Sequence, residues 1–271
     1  MRLRLRPAGL AALVLASAFS LAPALAQTAP AFQCKVASIA ASDAALGAMT
    51  ARISAKLPEG QPVRILAIGS SSTEGVGATS KDKAYPARLQ AVLGDSWKGV
   101  TTEVVNAGIG GETVPETILR LRKALKEQHF DLVIWQVGTN DALRGGDLGT
   151  FRALLSSGIA AARQSGSEIV LLDQQYFPAV KDPAAYRVFV DAVAQMGRDE
   201  KVPVLSRFAA MTEWYARDAK AFAATLSGDN FHMSDIGYDC LSRDIAASLV
   251  AMTTPARQRV AQGGTIQTAA R

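Results

Sequence analysis

The sequence predicts an α/β fold, a three-layer α/β/α sandwich around a doubly wound, mainly five-stranded parallel sheet. From Val63 onwards, short apolar runs rich in β-branched residues alternate with longer amphipathic segments. The short runs are apolar throughout, as strands covered on both faces are. Right-handed crossovers between parallel strands then place helices on both sides of the sheet. Such a sheet carries its site at the carboxyl ends of the strands, so the loops that follow the strands matter most.

Residues 1–26 stand outside this core. Arg2, Arg4 and Arg6 precede the apolar stretch Leu10–Leu21, and Ala24-Leu25-Ala26 supplies a small-x-small cleavage pattern. The segment reads as a signal peptide, which implies a periplasmic or secreted mature chain. Its apolar run is short and no stop-transfer flank follows, so no stable membrane span is expected after cleavage. Cleavage removes three arginines and no acids, and the formal charge falls from +5 to +2 (26 basic against 24 acidic residues). No dense Lys/Arg cluster remains to engage nucleic acid. The two cysteines, Cys34 and Cys240, are far apart in sequence. An oxidising compartment permits a bridge that ties the N-terminal segment to the last helix, and two free buried thiols are the alternative.

An alanine-rich N-terminal extension, 27–60, follows, with a helix expected over Ala37–Ile53 and a break at Pro58-Glu59-Gly60-Gln61-Pro62. Strands are expected at Val63–Ile68, Thr101–Asn106, Leu132–Gln136, Glu168–Leu172 and Val202–Leu205. Between them lie helices at Tyr85–Leu93, Val114–Lys126, Leu148–Arg163 and Pro183–Asp199, and a last helix runs over Asp235–Met252. Thr113 and Glu116 form a T-x-x-E capping box, after which Val114, Ile118, Leu121 and Leu125 share one face. Asp182 followed by Pro183 is an N-cap with proline at the first helical position. Residues 253–271 read as a polar, flexible tail.

The loop after the first strand is Gly69-Ser70-Ser71-Ser72-Thr73-Glu74-Gly75. A hydroxyl just past a buried strand, with glycines to turn the backbone, is how an open α/β sheet presents a nucleophile, although an ordinary Gly/Ser turn has the same composition. The second loop, Asn106–Thr113, runs straight into the capped helix, where backbone N–H groups favour negative charge. Its glycines miss the dinucleotide fingerprint, because Thr113 stands at the third glycine position. The third loop, Val137–Asp141, offers the Asn140 amide. Of two histidines, His129 sits at a helix end on the far side of the sheet, whereas His232 lies in a late loop with Asp229 three residues earlier. A carboxylate so placed fixes the imidazole tautomer and stabilises the imidazolium formed when a serine proton is taken. Two histidines and two distant cysteines make no zinc site, and no metal or other cofactor is expected.

Together the four loops resemble the SGNH hydrolase, or GDSL-type esterase/lipase, family over about Val63 to Ser248. The family's G-D-S-L-[ST]-x-G block matches Gly69–Gly75, N-A-x-I-x-G-[DE]-T matches Asn106–Thr113, G-x-N-D matches Gly138–Asp141, and D-x-x-H matches Asp229 and His232. The resemblance implies a flavodoxin-like hydrolase domain over 61–252. It also implies Ser71 as nucleophile, His232 as base, Asp229 as its orienting acid, and an oxyanion hole from Ser71, Gly111 and Asn140. Two positions depart from the pattern: Ser70 replaces the usual aspartate, and Ser72 stands where leucine is frequent.

Export together with this resemblance suggests an esterase for short acyl or O-acetyl groups, including those on glycans. A lysophospholipase or thioesterase of broader acyl range is the alternative within enzymes, and a non-catalytic carbohydrate-binding module on the same fold is the alternative outside them. Tyr176 and Phe177, after the fourth strand, are candidates to line the substrate pocket.

Overall fold

A computed structural model describes residues 51–253. The expected signal segment, most of the expected N-terminal extension, Cys34 and residues 254–271 lie outside the described residues, as does most of the helix expected over Ala37–Ile53. The described part of that region is helix α1 (Ala51–Lys56). Five parallel strands follow: β1 (Val63–Gly69), β2 (Thr102–Gly108), β3 (Leu132–Gln136), β4 (Glu168–Leu172) and β5 (Val204–Leu205). Their order across the sheet is β2-β1-β3-β4-β5. The chain steps outward from β1 to β2 and then returns past β1 to β3. The strand order therefore reverses beside β1, and the crevice at that point is where this topology binds ligands.

Alternation along the strands divides the interior into two layers. Ile65 and Ala67 of β1, Leu132 and Ile134 of β3, and Val170 and Leu172 of β4 face one side. There they meet Leu89 and Leu93 of α3 (Tyr85–Ser96) and Leu241, Ile245 and Leu249 of the last helix, α10 (Asp235–Thr253). Leu66, Ile68, Val133, Trp135, Ile169 and Leu171 face the other side. These pack on α4 (Val114–Glu127), α6 (Leu148–Gln164) and α7 (Pro183–Asp199). Burial on both faces is what makes β1 after Arg64, and β3 up to Gln136, read as apolar runs.

The expected caps form. The Thr113 N–H donates to Glu116 Oε2 at 2.9 Å, and Asp182 Oδ1 accepts from the Ala185 N–H at 2.9 Å. Strand β2 departs from the expectation of full cover: it is an edge strand, and only Val104 of its seven residues is buried. At the other edge β5 is two residues long, and the four-residue strand expected there begins late because Val202 and Pro203 precede the ladder. Helix α8 (Arg207–Arg217) and the short α9 (Ala219–Phe222) fill a stretch for which no helix is expected from sequence. Two further short helices, α2 (Ser71–Glu74) and α5 (Thr139–Leu143), start at the ends of β1 and β3. No helix among the described residues is long and apolar enough to cross a membrane.

Candidate active site

Strand β1 ends at Gly69, and the chain turns at once into α2, with Ser71 as its first residue. The turn is held from below by Gln136, the last residue of β3. Its side-chain oxygen accepts from the Ser70 N–H at 2.8 Å and the Ser70 hydroxyl at 3.1 Å. Ser70, buried in place of the family's aspartate, therefore has its hydroxyl satisfied without a charge. The end of β2 approaches α2 so closely that a Cβ on Gly108 would sit 1.9 Å from the Glu74 backbone nitrogen, which only glycine avoids.

The loop after β2 is fixed on three sides. Arg120 donates from Nε to both Glu112 carboxylate oxygens at 2.9 Å and from Nη1 to the Ala107 carbonyl at 2.7 Å, and Nη2 reaches the Gly69 carbonyl at 3.2 Å. The Gly110 N–H donates to Glu74 Oε2 at 2.7 Å. From the third side, Asn140 Nδ2 donates to the Glu112 carbonyl at 2.7 Å, and Asp141 Oδ1 accepts from the Val114 N–H at 3.0 Å. Burial pushes the Asp141 carboxyl above its ordinary range, opposed by these backbone donors. Gly111 has φ +81°, in the left-handed region that favours glycine, and among the described residues neither its N–H nor that of Ser71 is spent on another protein group. Asn140 likewise has a second amide N–H beyond the one given to Glu112.

His232 comes from the loop between α9 and α10, where Leu226 and Met233 form an isolated antiparallel bridge. Asp229 organises this loop. Its Oδ1 accepts from the Ser227 hydroxyl at 2.7 Å and from the N–H groups of Phe231 and His232 at 2.9 Å each. Its Oδ2 lies 2.6 Å from His232 Nδ1. Burial works to raise the Asp229 carboxyl, but these hydrogen bonds, led by the one from His232, outweigh it and hold the group well below the usual carboxylate range. On the other side of the ring, His232 Nε2 lies 3.0 Å from Ser71 Oγ. Ser71, His232 and Asp229, which are spread over more than 150 residues of sequence, thus form one continuous hydrogen-bonded line. His129 is exposed at the opposite end of the sheet, 3.5 Å from Asp131 through Nε2.

The two aromatic candidates separate. Phe177 stacks edge-on against Phe231 with centroids 4.8 Å apart. With Ala142, Leu143, Val180, Tyr186 and Phe231 it lines a groove of about 380 Å³ that reaches Asp229. Tyr176, the other candidate, is not among the residues lining this groove. It packs among Phe208, Tyr215 and Phe222, because neighbouring residues of an extended segment point to opposite sides. A larger cavity of about 650 Å³, between α7 and α8 at β5, contains none of the three aligned residues.

Sequence reasoning missed the supports of the site: Gln136, Arg120, Glu74 and Gln175. A glutamine closing the otherwise apolar run Leu132–Gln136 is the one local sign that a strand ends beneath polar chemistry.

A model of the non-GDSL lipase-like family matches residues 16–255. The chain belongs to this family. Its similarity to known enzymes agrees with the SGNH, or GDSL-type, resemblance. It is 30% identical over 144 residues to the esterase TesA of Pseudomonas aeruginosa, covering 53% of this chain and 70% of that protein. Over 153 residues it is 29% identical to the thioesterase 1/protease 1/lysophospholipase L1 of Escherichia coli, covering 56% of this chain and 69% of that protein. A crystal structure of TesA superposes with a TM-score of 0.60 at 25% identity, covering 70% of this chain and 99% of the other. The chain is a carboxylic ester hydrolase with the α/β fold of the SGNH enzymes.

Proposed function

We propose that the chain is an exported serine esterase that cleaves short acyl esters, O-acetyl groups on glycans among them, through an acyl-enzyme on Ser71. The observation that carries this reading is the pair of contacts made by His232: Nε2 at 3.0 Å from Ser71 Oγ and Nδ1 at 2.6 Å from Asp229 Oδ2. With Asp229 ionised, Nδ1 carries the proton and Nε2 is free to accept from the serine. Ser71 Oγ attacks the ester carbonyl as His232 takes its proton, and the imidazolium then protonates the leaving alcohol. The oxyanion is met by the free N–H groups of Ser71 and Gly111 and by the second amide N–H of Asn140. Water, deprotonated by His232, releases the acid and restores Ser71.

The groove beside Asp229 supports a short acyl or alcohol portion. Its volume of about 380 Å³ lies near the low end of small-ligand sites, roughly 300–1,000 Å³. Similarity to the thioesterase 1/protease 1/lysophospholipase L1 of Escherichia coli supports the broader thioesterase or lysophospholipase reading. A pure carbohydrate-binding module has no use for an Asp–His pair aimed at a serine.

Turnover of p-nitrophenyl acetate, butyrate and octanoate by wild type and Ser71→Ala tests the proposal. Hydrolysis that falls with chain length and disappears in the variant is expected. A maximum at octanoate favours the broader reading, and a folded wild type inert on every ester would overturn both.

A further inference from the structure

The residue after the candidate nucleophile is tied to the residue before the candidate base. The Ser72 hydroxyl donates to Gln175 Oε1 at 2.9 Å, and Gln175 Nε2 donates to the Phe231 carbonyl at 2.7 Å. Tyr186 fixes the backbone of the link, its hydroxyl donating to the Gln175 carbonyl at 2.8 Å. Ser72, Gln175 and Tyr186 are all buried, at 2%, 0% and 3% exposure. Water therefore does not compete for these bonds. A carboxamide suits the position because it accepts at one end and donates at the other across a fixed separation. The hydroxyl at position 72 is also one of the two departures from the pattern named above, which frequently has leucine there, with nothing to donate.

We infer that Gln175 is a positioning residue that couples the nucleophile turn to the His232 loop. The inference rests on Ser71 and His232 acting as nucleophile and base. Asp229 grips that loop from its solvent side, where 48% of the carboxylate side chain is exposed. Gln175 grips it from the interior, one residue from the imidazole. A displacement of the Phe231 carbonyl moves the His232 ring against both Ser71 and Asp229, so the larger cost falls on the chemical step, although Phe231 also lines the groove.

The test compares Gln175→Met, Ser72→Ala and the double variant, each checked by thermal unfolding. Gln175→Met is expected to lose about 10–100-fold in kcat on p-nitrophenyl acetate with KM within about twofold of wild type. Ser72→Ala loses less in the same direction, and the double variant is no worse than Gln175→Met, because the two side chains act as one unit. Wild-type kcat in Gln175→Met, or strictly additive losses, would overturn the inference. Ser72→Ala is a small change and carries the comparison if Gln175→Met does not fold. A second readout needs no substrate: the downfield proton NMR signal of His232 Nδ1–H, hydrogen-bonded to Asp229, should broaden or shift in Gln175→Met, and an unchanged signal counts against the coupling. A wild type without esterase activity would sink the functional reading while the NMR comparison still decides the coupling. An active wild type with unaffected variants would sink the coupling alone.

Discussion

The two halves of the site are built differently. Ser71, Gly111 and Asn140 stand on the ends of β1, β2 and β3, with Gln136 and Arg120 bracing the loops from beneath. His232 and Asp229 stand on a loop whose ladder is a single bridge, Leu226 to Met233. The side of the proposed nucleophile is therefore positioned by the sheet, and that of the proposed base by side-chain hydrogen bonds. Substitutions on the two sides should differ in what they displace: a strand-end loop on the first, the imidazole on the second.

The largest loss is expected at the contact where the halves meet. Ser71→Ala or His232→Ala should each lower kcat by about 10⁶, with the double variant little worse, since triad members act as a unit. A double variant far worse than either single one, measured on p-nitrophenyl acetate, would contradict a shared role. Asp229→Asn comes next. It keeps the loop's shape but offers the wrong tautomer, and a loss of about 10⁴ in kcat is the upper expectation. A loss below tenfold would show that the half-exposed carboxylate merely holds the loop. Asn140→Ala removes one proposed oxyanion donor from the sheet side and should cost about 10²–10³ in kcat with KM little changed.

The pH dependence separates the same two regions. Because Asp229 is held well below the usual carboxylate range, it stays ionised wherever the protein works. The acid limb of a kcat/KM profile should then carry no step from Asp229; a second resolved protonation on that limb, lost in Asp229→Asn, would contradict this. Away from the site, Asp244 of α10 is buried with neither carboxylate oxygen hydrogen-bonded. Burial first, and then the charge of Glu213, push it up to about 7. A carboxyl raised in the folded state contributes stability below its unfolded value near 4, and that contribution is lost as pH rises through about 7. Asp244→Asn should therefore raise the melting temperature at pH 8 by about 2–4 °C or more and leave it nearly unchanged at pH 3.5. Equal shifts at both pH values would rule out the charge as the cause.

The fold was legible because its signals are local. Apolar runs gave the strands β1, β3 and β4, and Thr113 and Asp182 announced the starts of α4 and α7. Helix α8 was not legible, since its buried face begins with Arg207, a residue whose burial no periodicity foretells. For the proposed site the motifs named Ser71, Gly111, Asn140, Asp229 and His232, each just past a strand or in the late loop. The buried amides of Gln136 and Gln175 escaped because their partners, Ser70, Ser72 and the Phe231 carbonyl, are remote in sequence and meet only after folding. Tyr176 and Phe177 were equivalent in sequence and became distinct only when the extended loop sent them to opposite sides.

Three consecutive serines at the end of β1 make the identity of the nucleophile the central claim. Ser70 and Ser72 are committed to buried glutamines, and Ser71 alone of the three faces His232. Diethyl p-nitrophenyl phosphate should release one equivalent of nitrophenol per chain, and peptide mapping by mass spectrometry should place the adduct on Ser71. An adduct on Ser70 or Ser72, or none on a folded chain that hydrolyses esters, would contradict the account.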